Sequence, residues 1–249
     1  MIANDDLAVF EGFEVPESGN VALEKMLLIL GTSFPQFELA FVRTIICERE
    51  DSSIKLRDNL LSFWQKASYG LQSDTISSST FILEMTKWIS KHLLDLCHSI
   101  FQEIFCNITT EKSKALAAEC VKTEQLAPSS SLVYGEIDFF AFVNILDLIS
   151  PAEGSSFVDL GHGTGKAVVA AALMFSPQFT RIHGIELLTS LYSESVVAVQ
   201  DYARKISSGK YHKYFVEGHS TCDITLAQGD FLAEEAIHGS YYDWTLAGQ

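Results

Sequence analysis

Three acidic residues and a loop of alternating glycines hold most of the chemistry that this sequence offers. The loop is Asp159-Leu160-Gly161-His162-Gly163-Thr164-Gly165-Lys166, preceded by Phe157-Val158 and followed by Ala167-Val168-Val169-Ala170-Ala171-Ala172-Leu173. An apolar run ending in an acid, a glycine turn and a small-residue segment that stops at Pro177 spell strand, tight turn and helix. Glycine at alternate positions permits positive φ and brings backbone amides close to a ligand, while the helix N-terminus behind them favours negative charge. A nucleotide-like ligand is the expectation.

Spacing excludes two commoner glycine loops. A P-loop requires G-x-x-x-x-G-K-[ST], but the interval from Gly161 to Gly165 is one residue too short, and Ala167 stands where a metal-binding hydroxyl is needed. The dinucleotide fingerprint is G-x-G-x-x-G, whereas this loop is G-x-G-x-G with an acid two residues ahead. Asp159 therefore suits a ligand that carries a cation, such as S-adenosylmethionine, whose sulfonium and ammonium accompany a carboxylate.

The other two acids repeat the arrangement. Arg181-Ile182-His183-Gly184-Ile185-Glu186 reads as a second strand ending in an acid placed to reach ribose hydroxyls, since a carboxylate accepts from both oxygens of a diol. Ile224 to Gln228 reads as a third strand, and Asp230 with Phe231 beyond it can bond an adenine edge and stack on its face. Three strands, each followed by an acid and joined by helices, predict one side of a parallel sheet with a ligand crevice at its carboxyl ends.

Helices must position this half-sheet. Helices are expected at Val21–Leu30, from Pro35 onward, at Ile54–Ala67, at Phe81–Cys106, at Thr110–Val121, at Asp138–Ile149 and at Leu191–Lys205. In the longest, Met85, Trp88, Ile89, Leu93, Leu96, Ile100 and Ile104 share one face, a core pattern. The stretch Leu126-Ala127-Pro128-Ser129-Ser130-Ser131 reads as the linker. The organisation expected is an acidic tail over 1–20, a helical bundle over 21–125 and a ligand-binding α/β domain over 126–249.

Composition narrows the function classes. The 249 residues are 47% hydrophobic and 20% charged, with a formal net charge of −15. Both halves are acidic, so no basic face for nucleic acid is expected. No apolar run is long enough for a membrane span and no basic signal-peptide start is present, which predicts a nuclear or cytoplasmic rather than secreted protein. Five scattered cysteines predict buried free thiols and no metal site. His162, His183 and His212 are isolated and read as satisfied or solvated.

Taken together, Phe157 to Lys166, Gly184-Ile185-Glu186 and Gly229-Asp230-Phe231-Leu232 resemble the successive motifs of class I S-adenosylmethionine-dependent methyltransferases. Val133-Tyr134-Gly135-Glu136 makes the sequence resemble, more narrowly, the histone-lysine methyltransferases of the disruptor-of-telomeric-silencing type. Across about Leu132 to Leu246, the resemblance implies a Rossmann-like class I sheet, preceded here by an all-α region. It implies S-adenosylmethionine as cofactor, with Asp159, Gly161, Gly163 and Gly165 around its methionine end and Glu186 on its ribose. Asp230 and Phe231 would hold the adenine, and Tyr134 and Glu136 would cover the donor. Lys166 stands where the family commonly has glutamine. The partner implied is a protein substrate, a histone or nucleosome, and the chemistry is in-line methyl transfer to a neutral amine, which needs alignment rather than an acid–base pair.

The sequence reaches Asp243-Trp244-Thr245-Leu246-Ala247-Gly248-Gln249 where a fourth strand is expected to begin, so the family's acceptor segment, and with it any catalytic assignment, is missing. That leaves two alternatives beside the lysine methyltransferase: an inactive, truncated cofactor-binding or interaction protein, and a small-molecule methyltransferase. The same reading makes the first strand an exposed edge and predicts poor solubility for the chain.

Overall fold

Helical periodicity and caps set the elements that surround the sheet. The computed structural model describes residues 78–126, 134–176, 178–207, 209–215 and 222–232, with positions 41, 42, 44, 59, 62, 63 and 66. The helix expected at Val21–Leu30, most of those expected from Pro35 and at Ile54–Ala67, the tail over 1–20, most of the linker and the segment from Asp243 lie outside the described residues. The chain divides into two compact units, Met1–Asp95 with Ser207–His219, and Leu96–Ile206 with Ser220–Gln249.

Helix α1, Ser78–Ile104, contributes to both units. Its expected apolar face is buried at Met85, Ile89, Leu93, Ile100 and Ile104, joined by Cys97, while Trp88 and Leu96 are half-buried. Elsewhere in the first unit, the Phe41 and Tyr214 rings lie 6.1 Å apart and the Thr44 hydroxyl donates to the Lys213 carbonyl.

The second unit is mixed α/β. Helix α2, Thr110–Thr123, starts at Thr109, whose side chain accepts from the Lys112 amide. Its buried Ala117 and Cys120 pack with Leu188 and Leu191, and with partly buried Leu126 and Tyr134. The boundary expected at 126 falls within the second unit, where this apolar cluster ties α2 to the segments that follow the linker-like stretch.

Helix α3, Phe139–Ile149, is opened by Asp138, which accepts from the Ala141 amide, and closed by Ser150 in the left-handed conformation. Strand β1, Ser155–Leu160, leads through the glycine turn into α4, Lys166–Phe175, which is buried along most of its length. Strand β2, Phe179–Glu186, helix α5, Thr189–Ser207, and strand β3, Asp223–Gln228, follow. The three strands are parallel in the order β1-β2-β3. Among the described residues, β1 pairs with β2 alone.

Register sets what meets across the sheet: Asp159 stands beside Gly184, and Glu186 beside Gln228. Gly184 leaves no room for a side chain, because a Cβ there would come 2.6 Å from His162 Cδ2 and 2.9 Å from Leu226 Cδ2. Gly184→Ala should therefore destabilise the unit by about 1–3 kcal/mol through overpacking. Thermal unfolding tests this, and a melting temperature equal to the parent's would mean that the His162 ring has room to yield.

Among the cysteines, Cys97, Cys120 and Cys222 are buried free thiols as expected, but Cys106 is exposed. It falls in the turn after α1 has ended at Ile104, so no helix face carries it inward.

Candidate functional site

The parallel arrangement brings the carboxyl ends of all three strands to one edge. Gly161 and His162 both donate their amides to the Ile185 carbonyl, at 2.8 and 3.1 Å, and the Gly229 amide donates to the Glu186 carbonyl at 2.9 Å. The turns after β1 and β3 are thereby fastened to the end of β2. Gly161, Gly163 and Gly165 all adopt positive φ, the conformation that the alternating pattern anticipates.

Glu186 is buried, with 7% exposure, and is held on both oxygens. Its Oε2 accepts from the Gly163 amide at 2.8 Å and its Oε1 from the Leu188 amide at 2.8 Å. Each carboxylate oxygen retains a lone pair for a further donor. Asp159, one strand over, is raised from its ordinary 3.8 to about 6, by burial first and by the charge of Glu186 second. Burial and the neighbouring carboxylate both disfavour the ionised form of Asp159, and a cation beside it would offset both.

His162 differs from the sequence reading. It is buried, and its Nδ1 hydrogen bonds the Gly163 carbonyl at 3.0 Å. A carbonyl only accepts, so Nδ1 carries the proton and Nε2 is a buried acceptor without a partner. Burial pushes the imidazole down to about 4, so it is neutral near pH 7. Isolation in sequence suggests a satisfied or solvated ring, but the gap left by Gly184 admits it beneath the loop.

The Tyr-Gly-Glu segment lies directly on the glycine loop. A Cβ on Gly163 would meet Tyr134 Cε2 at 2.7 Å, so the tyrosine ring rests against the bare backbone of that glycine. The Tyr134 hydroxyl donates to Glu136 Oε1 at 2.5 Å and lies 3.1 Å from Thr164 Oγ1. Burial, then the bond to Glu136, raises this phenol to about 12. Glu136 Oε2 accepts from Lys166 Nζ at 2.7 Å and from Thr110 Oγ1 at 2.5 Å. Burial pushes the Glu136 carboxyl up, but these donors and the lysine charge outweigh it and hold the group below the usual range.

Lys166 is thus turned to Glu136. A cavity of about 620 Å³ adjoins the pair, lined in part by Phe101, Phe105, Thr110 and Phe139. Asp230 and Phe231 follow the end of β3; Asp230 is exposed and one of its oxygens accepts from the Leu232 amide. Thr110 and Thr164 escape the sequence reading. Thr164 is signalled only by its place inside the loop, and Thr110 by nothing, since its partner lies 26 residues away.

The donor set fits a ligand with a cationic end and a vicinal diol: a paired-acid crevice for the first, an anchored carboxylate with spare lone pairs for the second. Among the described residues, no group of three or more His, Cys, Asp or Glu side chains could hold a metal ion, and no helix is long and apolar enough to cross a membrane. A comparison with protein families matches residues 113–243 to the family described as histone methylation protein DOT1.

Proposed function

Because the chain belongs to the DOT1 histone methylation family, whose model covers just over half of it, we propose that it is an S-adenosylmethionine-dependent methyltransferase acting on protein lysine, with histones as the substrate class. The observation that carries the proposal is the convergence of Asp159, Glu186 and the glycine loop at the carboxyl ends of three parallel strands. That is where open α/β sheets bind their ligands.

In this reading Asp159 faces the cationic methionine end with Gly161, Gly163 and Gly165, and Glu186 receives the ribose hydroxyls. Asp230 and Phe231 serve the adenine, and Tyr134 and Glu136 close the site from above. The cofactor supplies a methyl group already activated on sulfonium. The chain's own part is to hold, align and shield, and it needs no acid–base pair for the transfer itself. Free histones are strongly basic, so a chain of net charge −15 attracts them over a distance set by salt, whereas the same charge disfavours tight binding to the DNA of a nucleosome by this chain alone.

The test is incubation with labelled S-adenosylmethionine, core histones and nucleosomes, alongside calorimetric titration of the cofactor. Label on histone lysine is expected. Cofactor binding with label only on small molecules would reject the protein substrate, and absence of binding would reject the whole reading.

A further inference from the structure

Glu136 is the point where three separate segments meet. One oxygen takes Lys166, the first residue of α4, and Thr110, the first residue of α2; the other takes the Tyr134 hydroxyl. Tyr134 in turn covers Gly163 and reaches Thr164. The pair is the most shielded ion pair among the described residues, with side-chain exposures of 16% for Lys166 and 12% for Glu136. The Lys112–Glu194 pair, at 44% and 27%, is far wetter. Solvent screens exposed pairs to near irrelevance, but a shielded carboxylate that loses its only cation must take up a proton or turn out to water. If Glu136 turns out, it releases the Tyr134 hydroxyl and with it the ring resting on Gly163.

We propose that the Lys166–Glu136 ion pair is a clasp that holds the 134–138 strap down on the glycine loop, and that Lys166 is a positioning residue that sets donor affinity through this clasp. The proposal rests on the donor-site reading above. Glutamine at position 166 could still hydrogen-bond Glu136, but could not neutralise it, so Lys166→Gln separates the charge from the hydrogen bond.

The experiment combines amide hydrogen exchange at Tyr134–Asp138 with titration of S-adenosylmethionine, in the parent chain and in Lys166→Gln, Lys166→Arg, Glu136→Gln and the Lys166→Gln/Glu136→Gln double variant. Lys166→Gln should speed strap exchange and weaken donor binding, each about tenfold, as expected for loss of one charge-assisted bond. Lys166→Arg should restore both, and the double variant should be no worse than Lys166→Gln, because coupled partners are not additive. Unchanged strap exchange in Lys166→Gln, additive losses, or no rescue by arginine would overturn the clasp. Faster strap exchange in a series whose parent binds no donor would instead overturn the donor-site reading, and with it the link to affinity.

Discussion

Glu186→Gln is expected to damage the fold as well as the site. The carboxylate accepts one backbone amide on each oxygen, Gly163 on one and Leu188 on the other. A glutamine has a single oxygen, so either orientation turns an amide NH2 toward one of the two backbone N–H groups. A buried donor left without an acceptor costs about 1–3 kcal/mol, and Glu186→Ala, which orphans both, should cost roughly twice that. Native stabilities of about 5–15 kcal/mol make this a large fraction. Thermal unfolding and amide exchange at Gly163 and Leu188 measure it, and donor titration should show a loss beyond that of the ribose contact proposed for Glu186. A glutamine variant that melts with the parent would show that Glu186 serves ligand alone.

Asp159→Asn should do the reverse, stabilising the free protein while abolishing donor binding. Raising a carboxyl from 3.8 to about 6 means that its ionised form strains the folded chain, by at most about 3 kcal/mol at pH 7. Asparagine removes that strain along with the charge proposed to face the cofactor's cation, so melting temperature should rise and affinity fall.

The pH dependence carries a sharper signature of the same change. Between about pH 4 and 6 the folded Asp159 holds a proton that the unfolded chain has released, so its contribution to stability grows as pH falls through 6. His162 acts oppositely: the unfolded ring gains a proton as pH falls through 6.5, while the folded ring resists until about 4. The two largely cancel in the parent. In Asp159→Asn the histidine is no longer offset, and between pH 6.5 and 4 stability should fall by about 2–3 kcal/mol more than in the parent. Denaturant unfolding of both chains across that range measures it, and parallel profiles would sink the pairing.

Much of the site is legible in the amino-acid sequence. The glycine loop announces positive φ because few other residues tolerate it, and Gly161, Gly163 and Gly165 all show it. The acids are legible because a strand's end is a local event, marked where an apolar run meets a charge. Helix extents agree within a few residues, as for α3, expected from Asp138 and observed from Phe139 with Asp138 as its cap. The boundary at 126 does not coincide with the division between the units, for the opposite reason: a serine- and proline-containing stretch signals an irregular backbone, not where contacts stop.

By itself, then, the sequence determined the order of strand, turn and helix and the acids at the strand ends. Each is encoded within a few neighbouring residues by backbone sterics and apolar periodicity. Only the tertiary structure decided which groups satisfy one another. Lys166 meets Glu136 across 30 residues, and Glu186 meets the Gly163 amide across 23. His162 enters the space that Gly184 leaves empty because the β1–β2 register sets Asp159 beside Gly184. Charge state follows the same division: the residue type sets whether a group ionises in water, but burial and neighbours, which exist only in the folded chain, set Asp159 near 6 and His162 near 4.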